Sequence, residues 1–92
     1  MRLIDSNRYY LPNTKKQWLH LGTSTDGLHE YICMIHVQSQ RTYIEQITGG
    51  QLEFIRDDGL ATELAKFFED KGITDRTKPL LPDKEWFSLG KK

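Results

Sequence analysis

His20, His29, His36, Cys33, Glu30 and Glu45 are the side chains of this chain best suited to ligate a metal or move a proton near neutral pH. Their spacing supports neither role. His29 and His36 fit no zinc template, and the single cysteine permits neither a Cys-only or Cys-pair zinc site nor an internal disulfide. Nothing near Cys33 in sequence would lower a thiol pKa, so it reads as a small buried hydrophobe within a strand. No acid, base and nucleophile assemble, and the sequence is that of a non-enzymatic protein with no catalytic, cofactor or metal residues.

A second chemistry is stacking combined with charge. Arg8, Tyr9, Tyr10, Lys15, Lys16, Trp18, His20, Arg41, Tyr43 and Arg56 interleave cations with aromatic rings. Of these, Lys15, Lys16, Trp18, Arg41, Tyr43 and Arg56 define a basic-aromatic sheet surface suited to single-stranded nucleic acid, with rings stacking on bases and cations meeting phosphates. The overall charge opposes this reading. Lys plus Arg and Asp plus Glu are both 13, which removes the bulk attraction most nucleic-acid binders use. The charge is uneven along the chain: residues 1–20 carry four basic and one acidic side chain, residues 57–72 two basic and five acidic. No RNP-like, KH-like or helix-turn-helix pattern is present, and Gly22 and Gly49-Gly50 sit in no phosphate loop.

The third candidate is the C-terminal stretch. Pro79-Leu80-Leu81-Pro82 favours an extended form, and Trp86-Phe87 adds two large anchors of the kind enriched at binding hot spots. Leu80, Leu81, Trp86 and Phe87 are the candidate partner-binding residues. In the competing reading the same tail folds back over the chain's own sheet, since a 92-residue domain needs every apolar side chain it has.

These residues need a scaffold, and the pattern predicts an α+β fold in one domain, residues 1–92. Leu28–Val37 is the longest run favouring a pleated, half-buried surface and forms the central strand. Asp26-Gly27 suits a two-residue turn from a preceding strand within 17–24, Gln38-Ser39-Gln40 turns into a strand over 41–48, and Gly49-Gly50 turns into a fourth over 51–56. The prediction is a four-stranded antiparallel meander over 17–56. An extended arm over 1–16 precedes it, with a short edge strand at 2–5 or 8–11. An amphipathic helix over 57–72 follows, N-capped by Asp57 or Asp58 and closed by Gly72, and it packs on one face of the sheet. Residues 73–92 form an irregular, extended tail.

Two-residue turns fix the expected register. One face collects Leu19, Leu21, Ile32, Met34, Tyr43, Ile47, Leu52 and Phe54. The other collects Trp18, His20, Tyr31, Cys33, Ile35, Val37, Ile44 and Ile55, with His20 opposite Cys33 and His36 opposite Tyr43. Both faces are too apolar to be left in water, yet one helix covers only one of them. The second face must be covered by the arm, the tail or a partner. The expectation is therefore a protein-protein interaction module, as a homodimer or as an accessory or inhibitory factor, with single-stranded nucleic-acid binding as the alternative. No apolar run reaches the roughly 20 residues of a membrane span and no secretory signal is visible, so the expected location is cytoplasmic.

Overall fold

A computed structural model of the chain describes residues 1–74; the residues proposed for partner binding, Leu80, Leu81, Trp86 and Phe87, lie outside the described residues. The architecture is α+β. One antiparallel sheet contains β1 (Arg2–Asp5), β2 (Tyr9–Tyr10), β3 (Trp18–Thr25), β4 (Glu30–His36), β5 (Arg41–Thr48) and β6 (Gln51–Phe54), followed by helix α1 (Asp58–Asp70). The strand order is β1-β3-β4-β5-β6, with β2 also paired to β3. Six strands replace the expected four-stranded meander with one short edge strand, because the arm forms both of its short strands rather than one. The reason lies in β3. Its eight residues would leave a long row of backbone donors and acceptors unpaired, and β1 and β2 occupy that edge one after the other.

The register also departs from the expectation. β3 meets β4 with Thr25 opposite Glu30 and Gly22 opposite Cys33, then shifts so that His20 faces Met34 and Trp18 faces His36. Leu21 is the extra residue of a bulge, and beyond it the in-out alternation of β3 reverses. The face assignments hold for β4, β5 and β6 but are exchanged for the start of β3. Leu19 and Leu21 join Tyr31, Cys33 and Ile35 in the core, and Trp18 and His20 move to the opposite face. His20 accordingly faces Met34 rather than Cys33, and His36 faces Arg41 rather than Tyr43.

Turn chemistry accounts for the rest of the difference. The β3–β4 loop spans four residues, 26–29, because the Asp26 carboxylate accepts from the backbone N–H groups of Leu28 (2.9 Å) and His29 (2.8 Å) and from the Tyr31 hydroxyl (2.7 Å). An aspartate that satisfies amides two and three residues onward builds a longer loop than a type I′ turn. The β4–β5 loop is also four residues, 37–40, closed by the Gln40 N–H on the His36 carbonyl at 2.8 Å. Only Gly49-Gly50 forms the expected two-residue turn, with φ of 57° and 79° and Thr48 opposite Gln51.

Helix α1 begins as its sequence dictates. Asp57 is the N-cap, its carboxylate accepting from the Leu60 N–H at 3.2 Å. At the other end the Gly72 N–H donates to the Glu69 carbonyl and the Ile73 N–H to the Phe68 carbonyl, the paired bonds of a Schellman motif. This turn delivers Ile73 to the core beside Leu64 and Phe68. Gly22, at the bulge, admits the close approach: a Cβ there would lie 3.2 Å from Ile73 Cγ2 and 3.4 Å from Phe68 Cε1. Among the described residues no helix is long and apolar enough to cross a membrane.

Two outcomes follow from these contacts. Gly22→Val overfills the space between β3 and the end of α1 and should cost about 1–3 kcal/mol, read as a lower urea midpoint with unchanged slope. An unchanged midpoint would show that Ile73 yields freely. The Asp26 carboxylate is held well below the usual carboxylate range, first by the His29 N–H and then by Tyr31 and Leu28. A folded pKa below the unfolded one contributes stability that is complete above about pH 4 and fades as the pH falls further. Asp26→Asn should therefore lower the urea midpoint at pH 7 and lose less than the parent on acidification to about pH 3. Parallel acid profiles would contradict the assignment.

Candidate functional site

The sheet face opposite α1 is where the apolar and aromatic side chains left outside the core collect. Trp18 opens β3 opposite His36, which in turn faces Arg41, and the next rung places Met34 opposite Tyr43. The Trp18 ring packs edgewise on both neighbours, with centroids 4.9 Å from His36 and 5.2 Å from Tyr43. Such edge-to-face contacts hold the rings in fixed orientations. The pairing continues across β5 and β6, where Glu45 faces Phe54 and Ile47 faces Leu52.

The loop between β2 and β3 frames one end of this surface. The Leu11 N–H donates to the Trp18 carbonyl (2.8 Å), the Thr14 hydroxyl to the Leu11 carbonyl (2.7 Å) and the Gln17 N–H to the Thr14 carbonyl (3.0 Å). Asn13, Lys15 and Lys16 adopt φ of 63°, 55° and 60°. Left-handed backbone costs an ordinary L-residue about 1–2 kcal/mol, and Lys is not among the residues that visit it routinely. The bonds around Leu11, Thr14 and Trp18 hold the loop in this shape.

Between loop and sheet lies a cleft of about 260 Å³ lined by Leu11, Thr14, Trp18, Met34, Glu45 and Leu52. Its lining runs diagonally over β3, β4, β5 and β6, and strand twist brings the two ends of that diagonal around one hollow. Met34 forms the floor and is only 3% exposed. Among the described residues, Glu45 is the one ionisable side chain in the lining. Beyond the rim the surface stays apolar, with Leu52 44% and Phe54 79% exposed.

The structure divides the basic-aromatic set. Trp18, Arg41 and Tyr43 come together, and Lys15 and Lys16 sit on the loop beside them, although the Lys16 ammonium lies 6.0 Å from the Tyr10 ring, which packs against the core. Arg56 is elsewhere, lining a broad depression around the link from β6 to α1 with Leu52, Phe54 and Asp57. Arg8 is turned toward the end of α1, its guanidinium donating to the Ile73 carbonyl at 3.5 Å. His20 is fully buried. Its Nδ1 lies 2.6 Å from the Asn7 carbonyl and must donate, which leaves Nε2 to accept from the Thr23 hydroxyl, also at 2.6 Å, while the Tyr9 ring stacks on the imidazole at 4.4 Å. The Nδ1 bond and the Tyr9 stack thus hold the β1–β2 link and β2 onto β3, and the Nε2 bond to Thr23, within β3, fixes the ring.

Leu11, Thr14, Met34, Leu52 and Phe54 are the site residues that reasoning from sequence did not single out. The β6 alternation placed Leu52 and Phe54 on this face, but their exposure depends on where α1 docks. Among the described residues no three His, Cys, Asp or Glu side chains converge as a metal site requires. No protein-family model matches the chain, and neither a curated protein nor a solved structure matches it.

Cys33 is completely buried under α1, and burial pushes its thiol up to about 12, with the Arg8 charge opposing weakly. A thiol reagent at pH 8 should leave it largely unmodified in the folded protein and react fully in denaturant, with the rate following unfolding. Stoichiometric labelling of the folded protein within minutes would show that the strand opens without unfolding.

Proposed function

We propose that this chain is a non-enzymatic protein-interaction module whose binding surface is the sheet face opposite α1. The observation that carries the reading is the Leu11–Trp18–Met34–Leu52 cleft, an apolar hollow that continues into the exposed Leu52 and Phe54. An exposed apolar surface of this kind, centred on a tryptophan and a tyrosine held in place by packing, is characteristic of binding sites. The occupant is an extended protein segment that inserts one large aliphatic or aromatic side chain and carries Lys or Arg beside it. The cleft has room for one such side chain, and Glu45 in its lining favours a neighbouring cation.

The clustering of Trp18, Tyr43 and Arg41 near Lys15 and Lys16 gives the nucleic-acid reading its one specific support. It ranks second for physical reasons. The rings pack against each other rather than standing apart for bases, Arg56 lines a separate depression instead of joining Trp18 and Tyr43, and Glu45 repels phosphate.

Selection of short random peptides on the full chain tests the choice. Enriched sequences should pair Leu, Phe or Trp with Lys or Arg, and Phe54→Asp should weaken their binding at least tenfold, about 1.4 kcal/mol. Because Phe54 is so exposed, the same substitution should change stability by no more than about 0.5 kcal/mol. Binding indifferent to Phe54→Asp overturns the reading. So does a tighter, salt-dependent affinity for a single-stranded oligonucleotide that Arg41→Ala weakens.

A further inference from the structure

We propose that residues 75–92 of this same chain are the resident occupant of the cleft, seating the Leu80-Leu81 pair between Leu11, Trp18 and Met34 and so competing with any outside partner. This inference rests on the interaction reading and names what holds the surface when no partner is bound. Three observations support it: where the described chain ends, how far the remaining sequence reaches, and what chemistry it carries.

The Schellman turn carries the chain into the core at Ile73, which lies against the Gly22 position on β3 and whose carbonyl accepts from Arg8. Gly22 sits where β1 gives way to β2, since Asp5 faces Thr23 and Tyr9 faces His20. The chain therefore leaves α1 beside the edge that leads to the cleft. Arg8 precedes Leu11, at the cleft wall, by three residues, a span of about 10 Å in extended chain. Thr74 precedes Leu80 by six residues, which reach about 20 Å. That reach is about twice the Arg8–Leu11 span, and in this proposal it carries the Leu pair past the short edge strand to the hollow.

The sequence of this segment also has the chemistry the cleft selects. Leu80 and Leu81 are large and aliphatic, and Pro79 and Pro82 on either side disfavour helix. Lys78 places a cation on the N-terminal flank, complementary to Glu45 in the lining, whereas on the other side Lys84 stands between Asp83 and Glu85. A tethered occupant meets its site at an effective concentration in the millimolar range, so even a weak contact is well populated and an outside peptide must displace it.

The test is a photo-cross-link in the full chain, with benzoylphenylalanine replacing Leu80 or, separately, Leu81. The expected product has the mass of one chain and joins the segment 75–92 to a peptide containing Leu11, Trp18 or Met34. A product of two chain masses shows that a second copy supplies the segment and overturns the proposal, as does attachment to α1 or no attachment near the cleft. As an independent readout, the double substitution Leu80→Asp, Leu81→Asp should strengthen binding of a selected peptide at least fivefold without altering the sheet's circular dichroism. Unchanged affinity overturns the internal competitor. Peptide binding that persists and remains sensitive to Phe54→Asp separates that failure from a failure of the interaction reading.

Discussion

The extra residue that β3 carries at Leu21 decides which side chains this protein buries and which it displays. Without it, strict alternation along β3 would set Trp18 and His20 on the face of Cys33 and Ile35. With it, Leu19 and Leu21 both face α1 and the indole of Trp18 is left on the other side. The same irregularity places glycine where the end of the helix comes closest. Core packing, helix docking and the composition of the open face are thus consequences of one inserted position.

Polar groups are placed so that each irregular segment is held by specific bonds rather than by bulk burial. His20 joins the Asn7 carbonyl to the Thr23 hydroxyl across the break between β1 and β2. Asp26 gathers two amides and the Tyr31 hydroxyl at the end of the first hairpin, and the phenol is pushed up to about 12 by burial and by that same bond. The Tyr31 ring belongs to the core while its hydroxyl reaches the loop, so the loop and the hydrophobic layer are coupled through one side chain. Ser24 is an exception: its hydroxyl is buried and has no hydrogen-bond partner among the described residues.

Much of this scaffold was legible in the sequence because its signals are local. Asp57 and Gly72 bound the helix, Gly49-Gly50 sets a tight turn, and period-two alternation assigned β4, β5 and β6 to their faces. The bulge was not legible, since an inserted residue in an apolar strand leaves the composition of Trp18–Ser24 unchanged and shows itself only through pairing. The turn at Asp26 is longer than the dipeptide rule gives because its carboxylate prefers amides two and three residues on, and the turn at Gln38 because the Gln40 N–H bonds the His36 carbonyl. The candidate surface was half visible. Trp18, Tyr43 and Arg41 were singled out for their chemistry, whereas Leu11 and Met34 matter only because the chain brings them around one hollow.

The contact between Arg8 and Ile73 joins positions 65 apart in sequence. The hairpins of β3 through β6, in contrast, close over loops of two to four residues. Short loops lose little entropy on closure, so these hairpins are available early in folding. The β1–β2 edge and the last turn of α1 meet at Gly22 only when most of the chain is already ordered. The seam that joins the two ends of the described chain therefore closes after the hairpins and ties the order of the arm to that of the helix end.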